Sequence, residues 1–284
     1  MDDAAAGSAA DATSPAVLVE RRDTVLLVIL NRPEQRNAVN AAVAEGVARA
    51  LDLLDSTPEL RVGVLAGAGT GFCAGMDLKA FARGESAHAA DRGFAGIVER
   101  PPRKPLIAAV EGFALAGGLE IALACDLTVV ARGALLGIPE VKRGLVAAGG
   151  ALLRLPERLP LPLVKEMAFT GEPIDAERAA ALGLVNRLVE PGDAVRTALE
   201  LAVRIAANHP LAVEASKQVL VDAPEWPADQ RWARQREIVE PVRSSSAARE
   251  GALAFSERRA PAWGNGCHRS RPEVTPRGTD LDNR

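Results

Sequence analysis

A chain of 284 residues with a formal net charge of -3 suits one sizeable domain, or one domain with an appendage, and gives no electrostatic reason to expect nucleic-acid binding. Hydrophobic residues make up 48% of it, yet no run of about 18 apolar residues occurs, so neither wholesale disorder nor a membrane span is expected. Cys73, Cys125 and Cys267 are widely spaced with no C-x-x-C pair, which sets aside a disulfide framework and a zinc site and fits a reducing cytosol.

The first 20 residues carry no Lys or Arg and lack the basic start and apolar stretch of a signal peptide, so a cytoplasmic protein is expected. Residues 1–15 are small, acidic and aperiodic, and read as a disordered tail. Val25 to Leu30 is a β-branched and leucine run halted by Asn31-Arg32-Pro33, which predicts a buried strand and a turn. Over 40–55, Val43, Val47, Leu51 and Leu54 recur at helical spacing. Val62 to Ala66 predicts a second strand before the glycine run at 67–71, and the polar, small residues 84–92 predict a flexible loop. Leu106 to Val110 and Leu127 to Val130 predict two more strands, with a glycine turn at Gly117-Gly118 opening a helix between them. Short buried strands alternating with helices point to an α/β fold in this part. Farther on, segments 160–168, 175–182, 193–207, 210–221, 227–240 and 244–258 all read as helix, with Pro and Gly between them. Residues 264–284 lose all apolar periodicity and read as a disordered extension.

Tyrosine is absent, and histidine occurs only at 88, 209 and 268 with no G-x-S-x-G or H-E-x-x-H around it, so carboxylates are the expected acid and base groups. The run at 67–71 is G-x-G-x-G rather than G-x-G-x-x-G, and no acidic residue ends a second strand about 20 positions later. A plain strand-to-helix turn accounts for it better than a dinucleotide site. From Gly112 to Val130 the only charges are Glu120 and Asp126. Gly117 and Gly118 leave free N–H groups at a helix start, where a negative oxygen is favoured, and Glu120 falls in the first turn between Leu119 and Ile121. Two readings stand for Glu120: a solvated helix-start glutamate, or a buried carboxylate kept for use, the apolar surroundings leaving little wet face. Glu140, after Pro139 at another predicted helix start, is open to the same two readings, a surface cap or a functional group.

The motifs Asn31-Arg32-Pro33, Arg36-Asn37-Ala38, Phe72-Cys73-Ala74-Gly75-Met76-Asp77-Leu78, Ala116-Gly117-Gly118-Leu119-Glu120, Gly137-Ile138-Pro139-Glu140, and Ala179 with Leu182-Gly183-Leu184-Val185 run in this order and spacing. Together they resemble the crotonase (enoyl-CoA hydratase) superfamily over residues 17–263. The resemblance implies a crotonase-like α/β spiral of β-β-α units with a helical C-terminal trimerisation part, assembled as a homotrimer or a dimer of trimers. On this reading the chain divides into a tail (1–15), an α/β core (16–200), a C-terminal helical part (201–263) and an extension (264–284). The backbone N–H groups of Met76 and Gly117 would form an oxyanion hole. Glu120 would hold and activate water, and Glu140 would deliver a proton to a 2-enoyl-CoA. CoA would lie along Arg36, Ala38, Ala74, Asp77, Leu78 and Pro139, joined by Phe255 and Arg258 of a neighbouring subunit.

No metal and no separate cofactor are implied, CoA being part of the substrate. The acyl-CoA thioester and further copies of the chain are the expected partners, with no nucleic acid and no membrane. Many relatives carry Lys at the position of Arg258, and Pro-Gly where this chain has Ala147-Ala148. The presence of both glutamates favours hydration or dehydration, a lyase reaction of fatty acid metabolism. The chain looks nearest to enoyl-CoA hydratases and carnitinyl-CoA dehydratases. Hydroxycinnamoyl-CoA hydratase-lyases share the stretch from Ala74 to Lys79 but hold a phenol with tyrosine, which is missing here. An enoyl-CoA isomerase working with one carboxylate, and a non-catalytic homologue that binds acyl-CoA or RNA, are the alternatives.

Overall fold

Val17–Arg22 (β1) and Val25–Leu30 (β2) pair antiparallel around a tight turn in which Asp23 takes φ 53°. β1 is an edge strand that leaves Glu20, Arg21 and Arg22 exposed, whereas β2 is apolar along its length because both its faces are covered. The chain then crosses through Ala41–Ser56 (α1), capped by Asn40, whose Oδ1 accepts the Val43 N–H at 3.2 Å, to the parallel strand Val62–Gly67 (β3). Leu78–Ala82 (α2), His88–Ala89 (β4) and Gly93–Phe94 (β5) precede Leu106–Val110 (β6). Phe113–Leu115 (β7), Gly117–Ala124 (α3), Leu127–Ala131 (β8) and Leu135–Gly137 (β9) follow. Next come Ala151–Arg154 (α4), Leu161–Thr170 (α5), Ile174–Asp175 (β10), Ala176–Ala181 (α6) and Arg187–Val189 (β11). Three longer helices, Ala194–Ala206 (α7), Pro210–Asp222 (α8) and Arg231–Arg243 (α9), lead to Ser246–Ser256 (α10). This computed structural model describes residues 14–263, which fall into two compact units divided after Val239.

In the first unit the main sheet runs β1-β2-β3-β6-β8-β11 and is parallel from β2 onward. A smaller sheet, β10-β9-β7, pairs β7 and β9 in parallel. The chain therefore leaves the main sheet after β6 and after β8 and passes through the small sheet before turning into a helix. This is the expected β-β-α unit. Alternate residues of one strand serve two cores. Leu26, Val28 and Leu30 join Val43, Val47, Leu51 and Leu54 of α1 on one face, with Leu119 and Ile121 of α3 in the same cluster. Val25 and Leu27 on the opposite face meet Ala194, Ala198, Ala202 and Ala206 of α7.

Two expectations change. Residues 84–92 are not a plain flexible loop, because β4 lies within them and Arg92 is buried at 1% exposure. Its Nη2 donates to Asp52 at 2.6 Å and its Nη1 to the Arg100 carbonyl at 2.5 Å, which makes burial of the charge tolerable. A core boundary at 200/201 falls inside α7, whose alanine stripe seals the second face of the sheet, so α7 belongs with the core. The segments read as disordered, 1–15 and 264–284, lie outside the described residues apart from 14 and 15. In the second unit, Ser245 caps α10 by accepting the Ala248 N–H at 3.1 Å, and Arg259 pairs with Glu250 at 2.7 Å. Among the described residues no helix is long and apolar enough to cross a membrane.

Candidate active site

Strand β7 runs beside the segment 72–76, with Leu115 N donating to the Cys73 carbonyl at 3.0 Å. At the end of this pairing the two backbones nearly touch. Gly75 has φ +96°, and a Cβ placed on it would stand 2.9 Å from the Gly117 nitrogen and 2.7 Å from the Ala116 Cβ, so only glycine fits. Ala116 itself holds φ 53° and ψ -130°, a sparsely populated region, and is pinned there by its N–H bond to the Gly137 carbonyl at 2.9 Å. That bend turns β7 abruptly into α3 and makes Gly117 the first helical residue, whose N–H has no intrahelical acceptor. Met76 faces Val39 in a parallel bridge that engages the Gly75 carbonyl and the Asp77 N–H on that side. Among the described residues, neither the Met76 nor the Gly117 N–H donates to a protein acceptor. Free main-chain donors on abutting segments are groups that can stabilise a negative oxygen.

The carboxylates arrive by the same pairing. Leu115 of β7 lies opposite Gly137 of β9, so the connections that leave these parallel strands run side by side. One becomes α3 with Glu120 in its first turn; the other becomes the 3-10 turn Pro139–Arg143 with Glu140 as its second residue and Pro139 at its start. Glu120 is 4% exposed, and its Oε1 accepts the Ala151 N–H at 3.1 Å. Gly149 packs on the other oxygen, where a Cβ would come within 2.5 Å of Oε2. Burial pushes the Glu120 carboxyl above the usual range, opposed by the N–H groups of Ala151 and Gly149 and by the Arg154 charge. Glu140 is half-buried, and its Oε2 is enclosed without a hydrogen-bond partner. Burial and, secondarily, the nearby Glu120 charge push it up to about 7. Two carboxyl groups, one held by donors from a neighbouring segment and the other with an enclosed oxygen left unpaired, are suited to exchange protons in opposite senses.

Residues 20–266 match the family model described as enoyl-CoA hydratase/isomerase. The chain belongs to this family. It is 56% identical to a solved enoyl-CoA hydratase of Mycobacterium marinum, covering 89% of this chain and all of that one with a TM-score of 0.87. A carnitinyl-CoA dehydratase of Proteus mirabilis is 40% identical over 85% of this chain and 95% of its own length. A solved carnitinyl-CoA hydratase of Mycobacterium avium is 44% identical with a TM-score of 0.72, covering 88% of this chain and 99% of that one. Family membership makes this chain an enzyme of the enoyl-CoA hydratase-like lyase class, with a crotonase-type fold.

The other residues expected at an enoyl-CoA hydratase/isomerase site are placed less uniformly. The Arg36 guanidinium lies 4.3 Å from the centre of the Phe113 ring, and Ala74 N donates to the Arg36 carbonyl, so Arg36, Ala38 and Ala74 share one loop cluster. Leu78 opens α2 at 44% exposure, free to touch a ligand. Asp77 is the N-cap residue of α2. Its carboxylate accepts from Arg32 at 2.9 Å and from the Lys79 and Ala80 N–H groups, so it shapes the Met76 loop and caps α2. Phe255 and Arg258 belong to the second unit, where Phe255 is 86% exposed.

Supporting roles that the sequence does not assign also emerge. Asn37, 1% exposed, accepts from Arg32 N and donates to the Ala68 and Gly71 carbonyls, tying the Arg36 loop to the glycine run. Its neighbourhood signalled this weakly: Asn tolerates the left-handed conformation, and here φ is 55°. Cys73, beside the site, is no nucleophile, since burial pushes its thiol up to about 12.

Proposed function

We propose that this chain adds water reversibly to a 2-enoyl-CoA thioester, with Glu120 and Glu140 as its acid and base and the Met76 and Gly117 N–H groups as its oxyanion donors. The observation that carries this reading is the placement of one buried and one half-buried carboxyl group on adjacent connections, beside two unengaged main-chain donors. In the hydration direction the Glu120 carboxylate takes a proton from water as its oxygen bonds to C3. The electron pair of the C2–C3 double bond moves toward the thioester oxygen, where the two N–H groups stabilise the enolate-like charge. Protonated Glu140 then supplies the proton to C2. Dehydration of a 3-hydroxyacyl-CoA runs the same steps backward with the roles exchanged. Relatives that carry the name carnitinyl-CoA dehydratase favour keeping this direction open.

We place CoA along Arg36, Ala38, Ala74, Asp77, Leu78 and Pro139, with Phe255 and Arg258 supplied by a neighbouring subunit of a homotrimer or a dimer of trimers. No further cofactor is assigned, and the free, buried thiols of Cys73 and Cys125 fit a reducing cytosol. The test uses purified protein on a panel of 2-enoyl-CoA and 3-hydroxyacyl-CoA thioesters, following gain or loss of one water by mass. Glu120→Gln and Glu140→Gln keep shape but remove ionisation, and each should lower kcat by about 10² to 10⁴. The double variant should be little worse than the poorer single one. An isomerase would lose activity with one substitution and tolerate the other, and a non-catalytic homologue would turn over nothing before mutation. Full hydratase activity in Glu140→Gln would sink the two-glutamate mechanism.

A further inference from the structure

The segment that holds the Glu120 carboxylate is itself held by one side chain. Gly149 and Ala151 face Glu120, and between them Gly150 takes φ +100° to open the single-turn helix α4. With glycine at two of three positions this stretch has little stiffness of its own. Arg154, the last residue of α4, folds back over it: Nη1 donates to the Gly149 carbonyl at 3.4 Å and Nη2 to the Val98 carbonyl at 2.6 Å. Val98 N in turn donates to the Phe94 carbonyl at 3.3 Å. The Phe94 ring lies against Gly117, where a Cβ would come within 2.5 Å of the ring edge. One guanidinium therefore ties the cradle of Glu120 to the segment that packs against Gly117. Among the described residues it hydrogen-bonds only main-chain oxygens and neither glutamate.

We propose that Arg154 is a positioning residue, clamping the segment 149–151 onto Glu120 and keeping it in register with the segment 94–98 beside Gly117. This rests on the role proposed for Glu120. The cation also favours the ionised form of Glu120. The charges that bear on Arg154 are those of Arg158, Glu120 and Glu157, with the Cys125 thiol beside them, and Glu140 is the other group coupled to Glu120. Arg154→Lys keeps the charge but loses the two-point clamp; Arg154→Gln loses both.

The test combines kcat and KM on a 2-enoyl-CoA, their pH profiles, and a ¹³C carboxyl titration in which the Glu120 signal is identified by its loss in Glu120→Gln. Arg154→Gln should cut kcat about 10- to 100-fold with little change in KM, as misplaced groups do. It should also move the Glu120 titration and the acidic limb of the rate profile to higher pH. Arg154→Lys should return both titrations to wild type while kcat stays reduced. A folded Arg154→Gln with wild-type kcat and wild-type Glu120 titration overturns the proposal, as does a loss of thermal stability with the pH profile unmoved. Should Arg154→Gln fail to fold, Arg154→Lys decides: reduced kcat supports the clamp, and wild-type kcat refutes it. If the wild type turns over no enoyl thioester, the hydratase reading fails, while the Glu120 titration in Arg154→Gln still decides the clamp.

Discussion

At the scale of single residues, the group that ought to leave a signature outside catalysis is Glu140. Its carboxyl is pushed up to about 7 by burial, against an unfolded value of about 4.3. Between those values the folded chain binds more protons than the unfolded chain. Stability is therefore greatest below the lower value and falls as pH rises through the window. Glu140→Gln has no such dependence. The stability of this variant relative to wild type should improve between about pH 5 and about pH 8, by roughly 1–2 kcal/mol once partial exposure is discounted. Urea unfolding of both proteins at the two pH values checks it, and a difference that stays constant with pH contradicts it. The sign matters, because a surface capping glutamate would give no gain. A variant more stable and less active at neutral pH would mark the carboxyl as one held at a cost for its chemistry.

At the scale of elements, legibility followed burial. β2, β3, β6 and β8 are short apolar runs covered on both faces, and such runs announce themselves in sequence. β1 does not, since its second half is Glu-Arg-Arg on an exposed edge, and β7 and β9 have only three residues each. Yet β7 and β9 bring Glu120 and Glu140 together, a pairing that no local pattern encodes. The glutamates could be read from the apolar stretch around one and the Pro-led turn before the other. Their supports could not, because Gly149 and Ala151 act through the main chain. α7 was legible as a helix but not as the lid of the sheet. Its Ala194, Ala198, Ala202 and Ala206 recur every four residues and lie fully or nearly buried on the strands, a stripe that sets how closely the helix can approach. Ala198→Leu should overfill that contact and lower stability by about 1–3 kcal/mol in urea unfolding. Glu120 and Leu119 lie on the opposite face with the first core, so kcat per folded molecule should hold. Unchanged stability would show that the stripe tolerates bulk and that α7 is loosely seated.

At the scale of the whole molecule, the first unit leaves large apolar side chains in water along one stretch of chain, with Val146 67%, Leu153 77%, Leu161 49% and Phe169 76% exposed. In the second unit Leu253 and Phe255 are exposed on α10 at 50% and 86%. Burying any one of these fully is worth about 1.5–3 kcal/mol, so a chain that kept all of them wet would forgo much of what association offers. Closed symmetric assembly of identical chains covers such surface without leaving an open end that could grow. A homotrimer or a dimer of trimers is the expected state, and light scattering at micromolar concentration should find it; a stable monomer there contradicts it. The assembly bears on the site if Arg258 reaches a neighbour's CoA. Arg258→Gln should then raise KM for a CoA thioester several-fold while leaving kcat, and leave both constants unchanged on the matching pantetheine thioester, which lacks the nucleotide phosphates that an arginine would meet. Equal effects on the two substrates would place Arg258 away from the nucleotide end, and no effect on either would remove Arg258 from substrate binding.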